Sequence, residues 1–236
     1  MVRTLSWDSK FFQKKIGEIR FDRRKCHQLQ GVVQNAQKKG FQYLICKIRN
    51  HETSAVKTLE SLNFYLSDIG ITWKLDIQKD PRMIHQPAAS EKTIRIAGVK
   101  DIPLLQKMIT SMFVTSRFYN DPFFTRSEAN KLYQKWIENS VLGKAADIVF
   151  FIPDTGFACC KKIQRKGDIR LIGVKKQLRG KGIGTVLLRE ALQWFCKNKI
   201  YIITARTQLK NVPALNFYRK AGFEVAEYDI IFSKIL

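Results

Sequence analysis

The segment Val174-Lys175-Lys176-Gln177-Leu178-Arg179-Gly180-Lys181-Gly182-Ile183-Gly184 constrains the fold more than any other. It leaves an apolar strand pattern, Leu171-Ile172-Gly173-Val174, and enters a strongly amphipathic helix pattern over Ile183–Lys197, with three glycines alternating across the junction. A strand that turns through bare glycines into a helix must lay that helix back on its own sheet, so the unit is α/β. The same geometry brings backbone N–H groups and the positive end of a helix to one point, where a phosphate is the natural guest. Nine basic residues (Lys161, Lys162, Arg165, Lys166, Arg170, Lys175, Lys176, Arg179 and Lys181) surround the loop against one acid, Asp168. The spacing is not GxxxxGK[ST], and no acidic residue follows at the distance that would hold a ribose. A P-loop and a dinucleotide fold are therefore both unsupported.

Reading outward, Asp147–Ile152, Phe157–Ile163 and Asp168–Val174 alternate as three strands of an antiparallel meander. After the helix come a strand at Ile200–Thr204, a helix at Pro213–Ala221 and a strand near Tyr228–Lys234. Upstream, a strand near Thr93–Ala97, a helix from Lys100 to about Val114 and a helix at about Ser127–Asn139 are expected. The Pro- and Ser-containing run Gln78–Lys92 divides the chain. We expect a small β/α domain at 1–78, a linker at 79–92 and a larger domain at 93–236. In the first part, Lys15–Phe21, Phe41–Ile48 and Gly70–Ile77 are strands, and Lys25–Lys38 and Glu52–Leu62 are helices. Both halves read β-α-β-α-β, but no internal sequence repeat is visible.

Two motifs in order, Arg179–Gly184 as [QR]xxGx[GA] and Asn211–Phe223 as NxxAxxFYxxxGF, resemble the signatures of the GNAT superfamily of acyl-CoA-dependent N-acyltransferases. The resemblance implies a GNAT fold, a mixed central sheet flanked by helices. It implies that the backbone of Arg179, Gly180, Lys181, Gly182, Ile183 and Gly184 holds the diphosphate of acyl-CoA. Ile172 and Val174 would pair with the pantetheine arm, a main-chain N–H near Ile172 polarising the thioester carbonyl. Asn211 would bond the same arm, and Tyr218 would act as acid toward the sulfur. Asn211 also suits a helix N-cap, and Tyr218 a core aromatic.

Across its length the chain is similar to a narrower group, the TDP-amino-sugar N-acyltransferases of the TDP-fucosamine acetyltransferase type. The segments that carry this are Leu5–Phe12, Ser116-Arg117-Phe118 and Tyr133–Ser140. The resemblance implies acetyl-CoA or a hydroxyacyl-CoA as co-substrate, no metal, and a TDP-amino sugar as acceptor. Protein, antibiotic or amino-acid amines are the alternative. Ser116, Arg117, Phe118 and Tyr119 are the candidate acceptor residues, since a diphosphate needs guanidinium donors and a base needs aromatic walls. A hydrophobic loop docking the two halves together, with Arg117 in a structural salt bridge, is the other reading of Ser116–Phe124.

Lys and Arg number 42 against 20 Asp and Glu, a net charge of +22, which calls for an anionic partner or a repulsive surface. No RNA-stacking motif, zinc spacing or basic zipper is present, so nucleic acid is not the expected partner. No signal-like or membrane-spanning run is found, and five cysteines without zinc spacing read as reduced thiols, so a cytoplasmic setting is expected. Homodimers are common in the family resembled. No general base is assigned, and Cys159-Cys160 are expected to pack rather than to carry an acyl group.

Overall fold

The computed structural model describes residues 2–49, 53–81, 94–110 and 112–236. Most of the expected linker, together with His51, Glu52, His85 and Thr93, lies outside them. Among the described residues ten strands make one sheet: β1 (Val2–Thr4), β2 (Ile16–Arg20), β3 (Tyr43–Arg49), β4 (Tyr65–Asp76), β5 (Arg95–Ile96), β6 (Ile148–Ile152), β7 (Gly156–Ile163), β8 (Lys166–Val174), β9 (Ile202–Gln208) and β10 (Glu224–Ile235). The helices are α1 (Ser6–Phe12), α2 (Leu29–Lys38), α3 (Thr53–Ser61), α4 (Ile102–Ile109), α5 (Arg117–Asn120), α6 (Arg126–Val141), α7 (Ile183–Lys197) and α8 (Val212–Lys220).

The strand order is β1-β2-β3-β10-β4-β9-β8-β7-β6-β5. The sheet therefore runs across the boundary suggested between 1–78 and 93–236, because β10 inserts between β3 and β4. It also carries a duplication invisible in the sequence. β2 and β3 are parallel, as are β8 and β9. β3 is antiparallel to β10, as β9 is to β4, and the central β4–β10 pair is antiparallel. Each half thus lends its last strand to the other, as a two-fold through the β4–β10 pair would require.

Side-chain chemistry explains the joins. α7 buries Ile183, Leu187, Ala191 and Phe195 at helical spacing against a core shared with Trp73, Leu75 and Ile203 of β4 and β9. A second core forms where Phe12, Ile16 and Tyr43 of the first half meet Phe118, Phe124 and Leu132 of the second. Tyr43 ties this joint with polar bonds. Its hydroxyl donates to Asp121 Oδ2 (2.5 Å) and also contacts Ser233 Oγ (2.7 Å), while Tyr65 donates to Asp121 Oδ1 (2.8 Å). Buried polar groups satisfied in this way fix one docking geometry.

Candidate active site

The parallel strands β8 and β9 pair only from Lys166–Ile169 against Ile202–Ala205. At that point β8 bulges: Cys159 of β7 faces Leu171 and Cys160 faces Ile169, leaving Arg170 as the extra residue. Beyond the bulge β8 stays with β7, whereas β9 stays with β4 as far as Gln208. The two strands part and open a cleft. A cavity of about 680 Å³ occupies it, walled by Ile172, Gly173 and Val174 on one side and Arg206, Thr207 and Gln208 on the other. Apart from the Val174 carbonyl, which Arg179 engages, backbone groups on the free margin of β8 are available to an extended ligand in the manner of an added strand.

At one end of the cleft lies the glycine loop. Gly180 and Gly182 have φ of +78° and +74°, a region that glycine alone enters without strain, and a Cβ at either would meet only open space. Gly182 is the N-cap of the 15-residue α7, with no side-chain cap and no acid in its first turn. The amides of Ile183, Gly184 and Thr185 thus begin the helix facing the cavity wall, where an anion would be stabilised. Arg179 turns its side chain inward as a brace, Nε donating to the Val174 carbonyl (3.1 Å) and Nη2 to the Met112 carbonyl (3.2 Å). Lys181 is exposed and lies off the cavity wall, so it contributes field rather than lining.

Asn211 and Tyr218 are brought to the same cleft by α8. The Asn211 side-chain oxygen accepts from the Ala214 N–H (3.3 Å), so the capping reading holds while the residue still lines the cavity. Tyr218 is buried, its ring 6.0 Å from that of Trp73 and 5.3 Å from that of Phe223. Burial, reinforced by Asp168 and Cys160, pushes its phenol well above the ordinary range, so it keeps its proton at neutral pH. Cys159 and Cys160 are fully buried in β7. Burial pushes the Cys159 thiol up to about 12 and the Cys160 thiol well above its usual value, so neither is a ready nucleophile.

The far end of the cavity is lined by Ser116, Arg117 and Phe118, with Tyr133 and Trp136 of α6. Arg117 stacks on Phe118, its guanidinium carbon 4.3 Å from the ring centroid. Its Nη1 is buried without a hydrogen-bond partner. Phe118, Phe123 and Phe124 dock the two halves, as the alternative reading supposed, whereas the salt bridge supposed for Arg117 does not form among the described residues. Tyr119 lies off the cavity wall. Its hydroxyl donates to Asn130 (2.7 Å) and its ring stacks on Tyr133, so packing against α6 turns it away.

Residues 113–223 match the acetyltransferase (GNAT) family. The chain carries a GNAT acetyltransferase domain. That family uses acyl-CoA. The spore coat polysaccharide biosynthesis protein SpsD of Bacillus subtilis is 30% identical over 52% of this chain and 44% of its own length. The dTDP-fucosamine acetyltransferase of Escherichia coli is 26% identical over 76% of this chain and 75% of its own. The chain thus spans less than half of SpsD and three quarters of the second relative. Streptothricin acetyltransferase A of Bacillus subtilis is 28% identical over 49% of this chain and 66% of its own. Among solved structures, a tandem GNAT protein from the clavulanic acid biosynthesis pathway matches with a TM-score of 0.65 at 12% identity, over 93% of this chain and 75% of that one. A functionally unknown conserved protein from Staphylococcus epidermidis matches at 0.69 and 13%, over 94% and 84%. Both share the fold.

The GNAT domain's cleft receives side chains that no motif announced. Lys47 of β3, Asp68 of β4 and Arg206 of β9 all line the cavity. Gly70 makes room for this end, since a Cβ there would sit 1.8 Å from the Arg206 guanidinium, which reaches across to Asp229 (2.5 Å). Asp68 and Gly70 alternate on the cavity face of β4, while Ile69 and Ile71 line the opposite face. A lone acid inside the apolar run Tyr65–Ile71 was the one available signal. Among the described residues, no group of His, Cys, Asp and Glu could hold a metal ion and no helix is long and apolar enough to cross a membrane.

Proposed function

We propose that this chain moves an acetyl or short hydroxyacyl group from acyl-CoA to the amine of a TDP-linked amino-dideoxy sugar, a cytoplasmic step in surface-polysaccharide (O-antigen or capsule) assembly. The observation that carries the acyl-CoA half is the parting of β8 from β9 after Ile169 and Ala205, with an open left-handed glycine pair at one end. The loop amides from Arg179 to Gly184 would hold the diphosphate, and the free margin at Ile172 and Val174 the pantetheine arm. Acyl-CoA supplies the activated thioester. A main-chain N–H near Ile172 steadies the oxygen as charge develops, and Tyr218, kept protonated, gives its proton to the departing sulfur. An amino-sugar nitrogen titrates well below the lysine reference of about 10.4, so a neutral fraction is accessible near pH 7–8.

The sugar-nucleotide half is supported by the Escherichia coli relative, which aligns over three quarters of both chains, and by Arg117 on its aromatic shelf. The streptothricin acetyltransferase likeness favours an antibiotic amine as the second reading. Thiol release from acetyl-CoA, measured with dTDP-fucosamine, streptothricin and a peptide amine, separates the two. Turnover is expected with the nucleotide sugar. Turnover confined to streptothricin or the peptide overturns the sugar half.

A further inference from the structure

Asp68 and Arg117 face one cavity with opposite charges and do not pair. Asp68 is only 6% exposed. Its Oδ1 accepts the Ile69 N–H (2.9 Å), which fixes the carboxylate, and its other oxygen bonds to no described residue. Arg117 is held by its stack on Phe118, with Nη1 buried and unpartnered. Desolvating a carboxylate and a guanidinium is costly, and folded proteins ordinarily recover that cost by pairing them. Here the two do not pair with each other: Asp68 takes only the Ile69 N–H, Arg117 keeps Nη1 unpartnered, and Asp8 of α1 acts on Arg117 only through space. The remaining charges around Asp68 do not satisfy it: Arg206 of β9 is committed to Asp229, while Lys210 after β9 is felt only through space. Lys47 of β3 lines the same cavity, and Tyr133 of α6 presents a protonated phenol.

We propose that Asp68 and Arg117 are the acceptor-recognition pair of this enzyme, Asp68 receiving the acceptor's ammonium group and then its proton, and Arg117 receiving an anionic group of the same molecule. The acceptor is thus a primary amine that also carries negative charge, as an amino sugar linked to a diphosphate does. The inference rests on the acyl-transfer reading above. The ammonium gives one proton to Asp68, and the freed nitrogen lone pair attacks the thioester carbonyl. The C–N bond forms and the C–S bond breaks. Tyr218 protonates the thiolate, and the second nitrogen proton returns through water to Tyr218. Asp68 then releases its proton to solvent, so the cycle yields amide, thiol and one proton. Burial lifts the Asp68 carboxyl to about 6, which suits a base that must be reset near neutral pH.

The test compares wild type with Asp68→Asn and Arg117→Gln, using acetyl-CoA and dTDP-fucosamine for turnover and calorimetry with coenzyme A, dTDP-fucosamine and dTDP for binding. For Asp68→Asn we expect kcat to fall about 100-fold or more, loss of the limb of kcat/KM that rises through about pH 6, and unchanged affinity for coenzyme A. The preference for dTDP-fucosamine over dTDP should vanish in the same variant. Arg117→Gln should weaken both nucleotides at least tenfold, about the effect of losing 1.4 kcal/mol. An Asp68→Asn enzyme with wild-type kcat and an intact limb overturns the proposal. So does a wild type that binds coenzyme A but never turns over dTDP-fucosamine, which leaves the acyl-CoA reading standing. Failure of wild type to bind coenzyme A overturns that reading itself.

Discussion

If Asp68 is buried without a charged partner, replacing it with the isosteric Asn should stabilise the folded chain while removing activity. Its carboxyl sits at about 6 against an ordinary 3.8, because burial outweighs the Ile69 N–H and the fields of Arg117, Lys210 and Arg206. A raised acid is a penalty on the charged form. Below about pH 4 the group is protonated folded and unfolded, and the penalty is absent. Between about 4 and 6 the folded state keeps a proton that the unfolded state has lost, so stability falls as pH rises. Above about 6 the penalty is complete. At 1.36 kcal/mol per pKa unit the difference approaches 3 kcal/mol, and solvent entering the cavity reduces it to about 1–2 kcal/mol. Each kcal/mol moves the melting temperature of a chain this size by about 2–4 °C. Thermal melts at pH 8 should therefore show Asp68→Asn melting about 2–8 °C above wild type, the gap closing toward pH 4. A variant that melts at or below wild type at pH 8 would mean the carboxylate is compensated within the fold, and the unpaired-charge argument would fail.

Tyr218→Phe should lower kcat about 100-fold with little change in KM for acyl-CoA, because the proton matters as sulfur departs; steady-state kinetics with an unchanged kcat would reassign the residue to packing. Gly182→Glu places a side chain at a φ of +74° and a negative charge at the mouth of α7. It should cost roughly 1–2 kcal/mol in denaturant melts and weaken coenzyme A binding at least tenfold in calorimetry, and retained affinity would locate the phosphate elsewhere. Tyr43→Phe removes the hydroxyl between Asp121 and Ser233. Urea unfolding should report a loss of about 1–3 kcal/mol with coenzyme A affinity intact, whereas no loss would mean the joint is held by its aromatic packing alone.

Local elements were legible because their causes are local. The expected and observed bounds of Ile183–Lys197 agree, since an apolar stripe of spacing 3–4 begins at a glycine that can take a left-handed φ. The meander β6–β7–β8 also followed from alternation and turn residues. The seven-residue α1 was too short to show a helical period, and α4 stops at Thr110, whose ψ of 123° turns the chain out of the helix. What escaped the sequence was strand order. Nothing in Glu224–Ile235 announces that it will pair with both β3 and β4, and nothing in Tyr65–Asp76 that it will pair with β9, the contact that puts Asp68 next to the cleft. The phenylalanine loop was legible in two ways because it does two jobs, docking with Phe123 and Phe124 and lining the cavity with Arg117 and Phe118.

A crystal structure of the chain grown with coenzyme A tests the central claim most directly. The diphosphate is expected on the amides between Arg179 and Gly184, the pantetheine running between β8 and β9, and the thiol beside the Tyr218 hydroxyl. Coenzyme A bound at another surface, with the space between the parted strands filled only by solvent, would contradict it.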